Sequence, residues 1–301
     1  MTSSLIVALQ KKKNFYGSKI TLQSPAKINL YLNIIGKYPP RTKFAGFHRI
    51  ESIAERISLC DEITIETKKE PRIEFFSNEK SLEGKNNLCV QAARLLTKGF
   101  KIPFGFTIVL KKNIPIGSGL GGGSSNAATV LLGINTLLKL GLSQYAFYHL
   151  GAPLGSDVNF FLAQSPFAFL YGRGEKVIPL GGKTLHHFIV WPGISLSTKM
   201  VYGKAKLKLT KFLYNAKIVH YALEKGDAAL LKKSIFNALE KTALSLCGQL
   251  REVKKFFDNN GMFCKITGSG SAVYTIFDKD LPSTFENVFP KNWTIFKVKT
   301  F

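Results

Sequence analysis

The stretch PIGSGLGGGSSNAATVLL, Pro115–Leu132, packs five glycines and three serines into Gly117–Ser125 and then runs on as an apolar segment at helical spacing. Glycines let backbone N–H groups converge on a ligand and tolerate positive φ. A helix that starts straight after them adds unpaired N–H groups and the positive end of its dipole. Together these make a cradle for an anion such as phosphate. Ser124 or Ser125 either caps that helix or turns a hydroxyl toward the phosphate. A tight helix-packing turn is the bland alternative.

Three kinds of phosphate loop compete. A Walker loop needs Gly-Lys-Ser/Thr, and no lysine follows these glycines. Gly117, Gly119 and Gly122 spell GxGxxG, but a dinucleotide site wants them directly after a strand, with an acidic residue ~20 positions on. Here Lys111–Pro115 intervene, and no carboxylate lies there. A protein-kinase loop would need later DFG and HRD motifs, which are absent.

The chain of 301 residues is long enough for one large domain or two ordinary ones. Hydrophobic residues make up 45% and charged residues 20%, a globular composition. The net charge of +23 points to anionic company, either nucleic acid, acidic lipid or phosphorylated small molecules. The lysines are scattered, though, so a solvated basic surface explains them equally well. Cys60, Cys89, Cys247 and Cys264 form no CxxC pair and read as reduced thiols of a cytoplasmic protein. No apolar run is long enough to span a membrane. Residues 1–20 read as a basic extension, because their charges follow the apolar patch, the wrong order for a secretory signal.

Around the glycine run the pattern alternates strands and helices. Lys19–Lys37 reads as two strands broken at Pro25, and Arg49–Thr67 as a strand pair. Asn87–Phe100 has helical spacing and ends near Gly99. Phe104–Pro115 is a strand leading into the glycines. Ser125–Gly141 is a helix apolar on nearly every side, hence central and buried. Leu142–Gln164 gives one or two short helices with a Gly-Ser-Asp step, and Pro166–Leu180 opens a run of strands. His186–Lys204 reads as a strand and loop, and about Lys204–Leu246 as two lysine-rich helices. Leu250–Gly261 is a further helix, and Cys264–Asp278 a strand with a turn at Gly268–Ser271. Without regular βαβ alternation this is an α+β protein. A boundary near residue 168 divides it into 1–168 and 169–301.

No Asp or Glu occurs from Gly84 to Ser156, a window that holds seven Lys or Arg and the glycine loop. The first carboxylate after it is Asp157, in GAPLGSDVNFFL. Positive surroundings keep such a group ionised and ready to accept a proton or a metal; an ordinary N-cap aspartate is the alternative. Lys27, in SPAKINL, sits in an apolar strand context and calls for an anion, either Asp157 or a phosphate. Phosphoryl transfer needs little more than charge neutralisation, alignment and help with one proton. Mg²⁺ would bridge nucleotide phosphates without a dedicated protein cage.

Three separated motifs, SPAKINLYL (Ser24–Leu32), PIGSGLGGGSSNAATVLLGIN (Pro115–Asn135) and TGSGSAVY (Thr267–Tyr274), resemble in order those of the GHMP small-molecule kinases. GFHRIES, LGSDVNFFL, GRGEKVIPL and WPGISLST point within that family to the branch that acts on a cytidyl-linked methylerythritol of the non-mevalonate isoprenoid pathway. The resemblance implies an N-terminal domain like ribosomal protein S5 and a C-terminal ferredoxin-like domain. It implies transfer of the ATP γ-phosphate to the 2-hydroxyl of a cytidine diphosphate-linked sugar alcohol. Asp157 is then the base and Lys27 the partner that orients it and offsets charge. Pro115, Ile116, Gly117, Ser118, Gly119, Leu120, Gly121, Gly122, Gly123, Ser124 and Ser125 wrap the ATP phosphates, with Asn87 and Lys112 near the nucleotide. Asn29 meets the acceptor, His48 reads the cytosine, and Phe47 and Tyr202 stack on it. The expected partners are ATP and the small acceptor, with no nucleic acid and no membrane, in a monomer or weak homodimer. Departures are the long segment KYPPRTKFAGFH (Lys37–His48) and phenylalanine in place of the usual tyrosine at Phe47. Homoserine, mevalonate or galactose kinases are rivals within the family. A non-catalytic nucleotide- or RNA-binding relative is the rival outside enzymology.

Overall fold

The computed structural model describes residues 16–84, 86–205, 215–277 and 288–301. Most of the basic extension, and part of the lysine-rich stretch after Lys204, therefore lie outside the described residues. Two compact units interleave along the chain. One holds the described residues up to Pro25 with Cys60–Ile114 and Gly122–Gln164; the other holds Ala26–Leu59, Pro115–Gly121 and Ser165–Phe301. Two long strands, β1 (Lys19–Lys37) and β2 (His48–Lys68), contribute one part to each.

Neither long strand breaks where the sequence reading breaks it. Pro25 sits inside β1. Its neighbours at even spacing, Lys27 and Asn29, send their N–H groups to Leu120 O and Thr267 Oγ1 rather than into a strand ladder. The missing N–H of Pro25 therefore forfeits no ladder bond. The strand pair expected over Arg49–Thr67 is one continuous strand, β2, with no break between its halves. The Asp61 carboxylate is buried within the strand and satisfied there, as set out below.

In the first unit, β4 (Gly105–Lys111) pairs antiparallel with β2 from Glu62↔Lys111 to Lys68↔Gly105, and β3 (Ile73–Ser77) runs parallel to β4. Helices α1 (Leu88–Phe100), α2 (Gly122–Leu138), α3 (Gln144–Gly151) and α4 (Val158–Leu162) complete it. As its composition predicts, α2 is buried, with Ala127, Val130, Leu131 and Ile134 at the core. It rests on the sheet at Gly133, where a Cβ would come within 2.6 Å of Ile65. Only a bare backbone lets the helix lie that close.

In the second unit, β5 (Phe167–Gly172) pairs antiparallel with the first half of β2, β6 (Lys176–Leu180) forms a hairpin with β5, and β8 (Phe236–Asn237) runs parallel to β1 at Tyr31↔Phe236. A second, antiparallel sheet has the order β11 (Thr294–Lys299), β7 (His186–Trp191), β10 (Val273–Phe277), β9 (Lys265–Ile266). Helices α5 (Thr198–Lys204), α6 (Ala216–Lys225), α7 (Ala228–Ser234), α8 (Glu240–Leu246) and α9 (Gly248–Asn259) accompany it. Its core gathers Phe188, Val190, Val201, Leu250, Val253, Phe257 and Ile266.

Three expectations need correction here. The loop read after β7 ends in helix α5, because Ser197 caps the Met200 N–H. The two lysine-rich helices are three short ones over the described residues. Left-handed Gly226 stops α6, Asp227 caps α7, and the β8 bridge precedes α8. The strand read over Cys264–Asp278 is two strands, β9 and β10, joined by the turn Thr267–Ala272; Asp278 lies outside the described residues. The α+β class stands.

Candidate active site

The glycine loop is held by its carbonyls. In the second unit Gly117 O accepts from Leu196 N at 2.9 Å, Ile116 O from Ser195 Oγ at 2.6 Å, Ser118 O from Ala272 N at 2.9 Å, and Leu120 O from Lys27 N at 2.9 Å. Gly117, Gly119 and Gly121 all have positive φ, at 66°, 82° and 73°. Among the described residues no protein acceptor takes the N–H groups of Gly117–Gly121. Carbonyls engaged and N–H groups available is the polarity an anion requires. The packing is close as well. A Cβ on Gly119 would stand 2.4 Å from Thr267 O, and one on Gly117 would stand 2.5 Å from the Ser195 Cβ.

Lys27 lies buried beside this loop in the same unit. Its Nζ donates to Asn29 Oδ1 at 2.5 Å, and Asn29 Nδ2 donates to Ser52 Oγ at 2.9 Å. The Gly268–Ser271 turn closes onto the same spot, since a Cβ at Gly268 would lie 3.3 Å from both Lys27 Nζ and Asn29 Oδ1. Three motifs more than 80 residues apart in sequence thus meet around Lys27 and Gly268.

The first unit carries the helix that follows the loop. It starts at Gly122, so Ser124 and Ser125 lie in its first turn and neither is a cap, against the first of the two roles read for them. Ser125 is fully buried and pairs with Ser24 Oγ at 2.8 Å, whereas Ser124 stays half-buried and Gly123 exposed. Beneath this turn lies a network that the sequence reading missed. Buried Asp61 accepts from Asn113 N at 2.7 Å, Ile114 N at 2.8 Å, Lys112 Nζ at 2.7 Å and Asn126 Nδ2 at 2.8 Å. Lys112 also donates to Ile114 O at 2.6 Å. Burial pulls the Lys112 ammonium below its usual range, while the Asp61 charge pulls it back up. A Cβ on Gly122 would come within 2.9 Å of Lys112 Nζ, so the helix start sits directly on this buried pair. Asn87, expected near the nucleotide, caps α1 by accepting from Cys89 N at 2.8 Å and donates to Leu82 O at 3.0 Å.

Asp157, also in the first unit, occupies the N-cap position of α4, yet its side chain makes no capping hydrogen bond. The cap alternative therefore does not describe it. Its segment is fixed on either side. Asn159 Nδ2 donates to Tyr148 O at 3.1 Å, and a Cβ on Gly155 would touch Ser124 Oγ at 3.4 Å. Among the described residues no group of three or more His, Cys, Asp or Glu could hold a metal ion. One carboxylate on a segment that packs against a serine hydroxyl suits Mg²⁺, which prefers oxygen donors and keeps water and phosphate as its other ligands.

The remaining expected residues cluster in the second unit. His48 is buried, and its Nε2 has no hydrogen-bond partner among the described residues. Its ring lies 5.3 Å from that of Tyr202, at 43°. Burial, and then the Lys37 charge, hold His48 below the ordinary imidazole range, so it is neutral near pH 7. Phe47 is 50% exposed, the surface a stacking residue must keep.

Comparison with known proteins gives this assembly its context. Residues 87–172 match the profile of the GHMP kinases N terminal domain, and residues 219–295 that of the GHMP kinases C terminal. The chain is 32% identical to 4-diphosphocytidyl-2-C-methyl-D-erythritol kinase of Syntrophus aciditrophicus, over 93% of this chain and 99% of that one.

The chain belongs to the GHMP kinase family.

It is also 35% identical to the enzyme of the same name from Shouchella clausii, over 87% of each chain. The crystal structure of a 4-(cytidine 5'-diphospho)-2C-methyl-D-erythritol kinase superposes with a TM-score of 0.75 at 27% identity, covering 94% of this chain and all of that one. A homoserine kinase from Cytophaga hutchinsonii superposes with a TM-score of 0.69 at 16% identity, a likeness of fold alone. For a GHMP kinase the missed residue was Asp61. Its signal was present in the sequence, as a lone aspartate inside an alternating apolar strand, where a charge must be buried and paired.

Proposed function

We infer that the chain is an ATP-dependent 4-diphosphocytidyl-2-C-methyl-D-erythritol kinase, a phosphotransferase with an alcohol acceptor. The observation that carries the choice of acceptor is the neutral, buried His48, with an unpartnered Nε2 beside the Tyr202 ring and the exposed Phe47 next to it in sequence. A buried polar atom without a partner costs about 1–3 kcal/mol, which a heterocycle offering a complementary hydrogen bond relieves. Homoserine and mevalonate have no such ring. Relatives at over 30% identity across most of the chain carry the cytidyl name, which supports the same choice.

In the proposed reaction the acceptor 2-hydroxyl oxygen bonds to the γ-phosphorus of ATP. The bond from that phosphorus to the β–γ bridging oxygen breaks, ADP leaves, and Asp157 takes the hydroxyl proton. Lys27 offsets charge on the transferring phosphoryl group, and Asn29 holds its ammonium and the acceptor. The loop Pro115–Ser125 wraps the nucleotide phosphates, its Gly117–Gly121 N–H groups binding them, and Lys112 sets the charge beneath the helix start. Asn87 acts by fixing the start of α1 near the nucleotide. Asp157 and Ser124 would hold Mg²⁺ on the protein side, and the ion would supply charge neutralisation on the phosphates. We place this chemistry in the cytoplasm, in a monomer or weak dimer.

The test is ADP release with ATP and each acceptor in turn. Turnover with the cytidyl substrate and none with homoserine or mevalonate is expected. Binding of ATP without turnover on any acceptor would favour the non-catalytic reading instead.

A further inference from the structure

The β5–β6 hairpin turn, Gly172-Arg173-Gly174-Glu175, carries a cation that no role above uses. The Arg173 guanidinium lies 5.1 Å from the centroid of the Phe47 ring and 4.2 Å from that of Phe44. Both rings belong to the long segment Lys37–His48, where this chain departs from the usual short turn. We propose that Arg173 is a positioning residue for cytidine recognition, its planar guanidinium bracing Phe47 in the orientation in which the ring stacks on the pyrimidine. The proposal rests on the stacking role assigned to Phe47 under the proposed function.

The turn is built to hold that cation still. Glu175 Oε2 accepts from the Arg173 backbone N at 2.6 Å and lies 3.7 Å from its Nε. Gly172 has φ +78°, and a Cβ there would meet the Glu175 carboxylate at 2.9 Å, so glycine is what lets the carboxylate tuck under the turn. The Arg173 side chain is only 11% exposed, although it sits on a hairpin tip. Desolvation of this kind strengthens a cation–π contact, and a flat guanidinium stacks on a ring in a way an ammonium does not. The other contacts of the segment, among them the Tyr38 ring edge-on to Phe44 at 5.5 Å and Ala45 N donating to Thr42 O at 3.0 Å, hold its backbone and Phe44 rather than the Phe47 ring. Phe47 N donates to Phe44 O at 3.0 Å, and Tyr38 N donates to Phe47 O at 2.9 Å. An aromatic ring that keeps half its surface in water would sample several rotamers without a plane behind it. With one, the ordering cost of stacking is met before the substrate arrives.

The test combines kinetics and hydrogen exchange. Arg173→Ala should raise KM for the cytidyl substrate roughly three- to tenfold, with kcat and KM for ATP unchanged. Arg173→Lys should recover only part of that, since it restores the charge and not the plane. In a Phe47→Ala background, Arg173→Ala should add nothing further. The amides of residues 38–47 should exchange faster in Arg173→Ala, while circular dichroism and Tm show the rest folded. An equal KM penalty from Arg173→Ala with and without Phe47 would overturn the proposal, as would full recovery by lysine. If Phe47→Ala left KM for the cytidyl substrate unchanged, the stacking role itself would fall. The exchange rates would then judge the bracing on their own: faster exchange supports it, and unchanged exchange overturns it.

Discussion

Asp61→Asn is the substitution whose consequence the structure fixes most tightly. The Asp61 side chain is fully buried and that of Lys112 is 5% exposed, with 2.7 Å between their charged atoms. Asparagine keeps the shape, and its Oδ1 can still accept from the Asn113 and Ile114 N–H groups. Its Nδ2, however, would point at two donors, Lys112 Nζ and Asn126 Nδ2, which now share Asp61 Oδ2. Lys112 is left as a buried ammonium with its counter-charge gone. Removing one partner of a buried pair costs about 3–5 kcal/mol, most of it the penalty of the orphaned charge. For a chain of this size that lowers Tm by on the order of 10 °C. Because Gly122 rests on Lys112 Nζ, KM for ATP should also rise.

The decisive comparison is Asp61→Asn with Lys112→Met added. If the orphaned ammonium is what costs, the double variant loses it and regains at least half of the lost stability in urea unfolding. A double variant no more stable than Asp61→Asn alone would refute the reasoning. The pH dependence carries a second check. Burial already holds Lys112 below its ordinary value of 10.5, and losing Asp61 removes an upward pull. The unfolded chain then binds more protons than the folded one between the depressed value and 10.5, so stability rises with pH across that window. The deficit of Asp61→Asn should therefore shrink as pH is raised toward 10.5.

Other perturbations follow from the same geometry. Asp157→Asn should lower kcat about 10²–10⁴-fold while calorimetry still shows ATP binding, and near-normal turnover would remove Asp157 from the proton-accepting role. Gly119→Ala places a Cβ 2.4 Å from Thr267 O at φ +82°. It should cost about 1–3 kcal/mol in urea unfolding and weaken ATP binding, whereas wild-type values would show that the loop is not held as described. His48 is held below its ordinary 6.5, so KM for the cytidyl substrate should stay flat from pH 8 down to that value and rise only in more acid solution. The same depression means the unfolded chain protonates this residue first as pH falls, so its contribution to stability declines below about 6.5. A KM that climbs already at neutral pH would contradict a neutral His48.

The parts of this fold legible from sequence were those written in local patterning. Helix α2 could be read because it is apolar all round, and the glycine run because no ordinary helix start has five glycines. What misled was punctuation. Pro25 and Cys60-Asp61 look like strand breaks, yet both lie inside long strands, because their backbone or side-chain needs are met by segments far away in sequence. Register and partners of that kind are set by tertiary contacts, which alternation alone does not encode. Helix α5 was legible in principle, through the Ser197 cap, but its short run of Thr-Lys-Met-Val-Tyr carries weak periodicity. The role of Asp61 is not legible locally, because the partners that mark it as special, Asn113, Ile114 and Asn126, lie more than 50 residues downstream.

The glycine run also shows why composition alone underdetermines a phosphate loop. Positive φ explains Gly117, Gly119 and Gly121, but not Gly122, whose φ is not in the left-handed region. That glycine is needed because Lys112 Nζ lies where its Cβ would be. Lys112 in turn is held there by Asp61, from a strand more than 50 residues upstream. The glycines thus answer two demands: the first three free N–H groups to face an anion, and the fourth lets a buried ion pair approach the helix start. An alanine at Gly122 should therefore displace the Lys112–Asp61 pair without straining the backbone. The Lys112→Met background should blunt that loss and leave the Gly119→Ala loss unchanged, because methionine is uncharged and flexible and gives way where a hydrogen-bonded ammonium does not. Equal rescue of both alanine variants by Lys112→Met would mean that one constraint, and not two, shapes the loop.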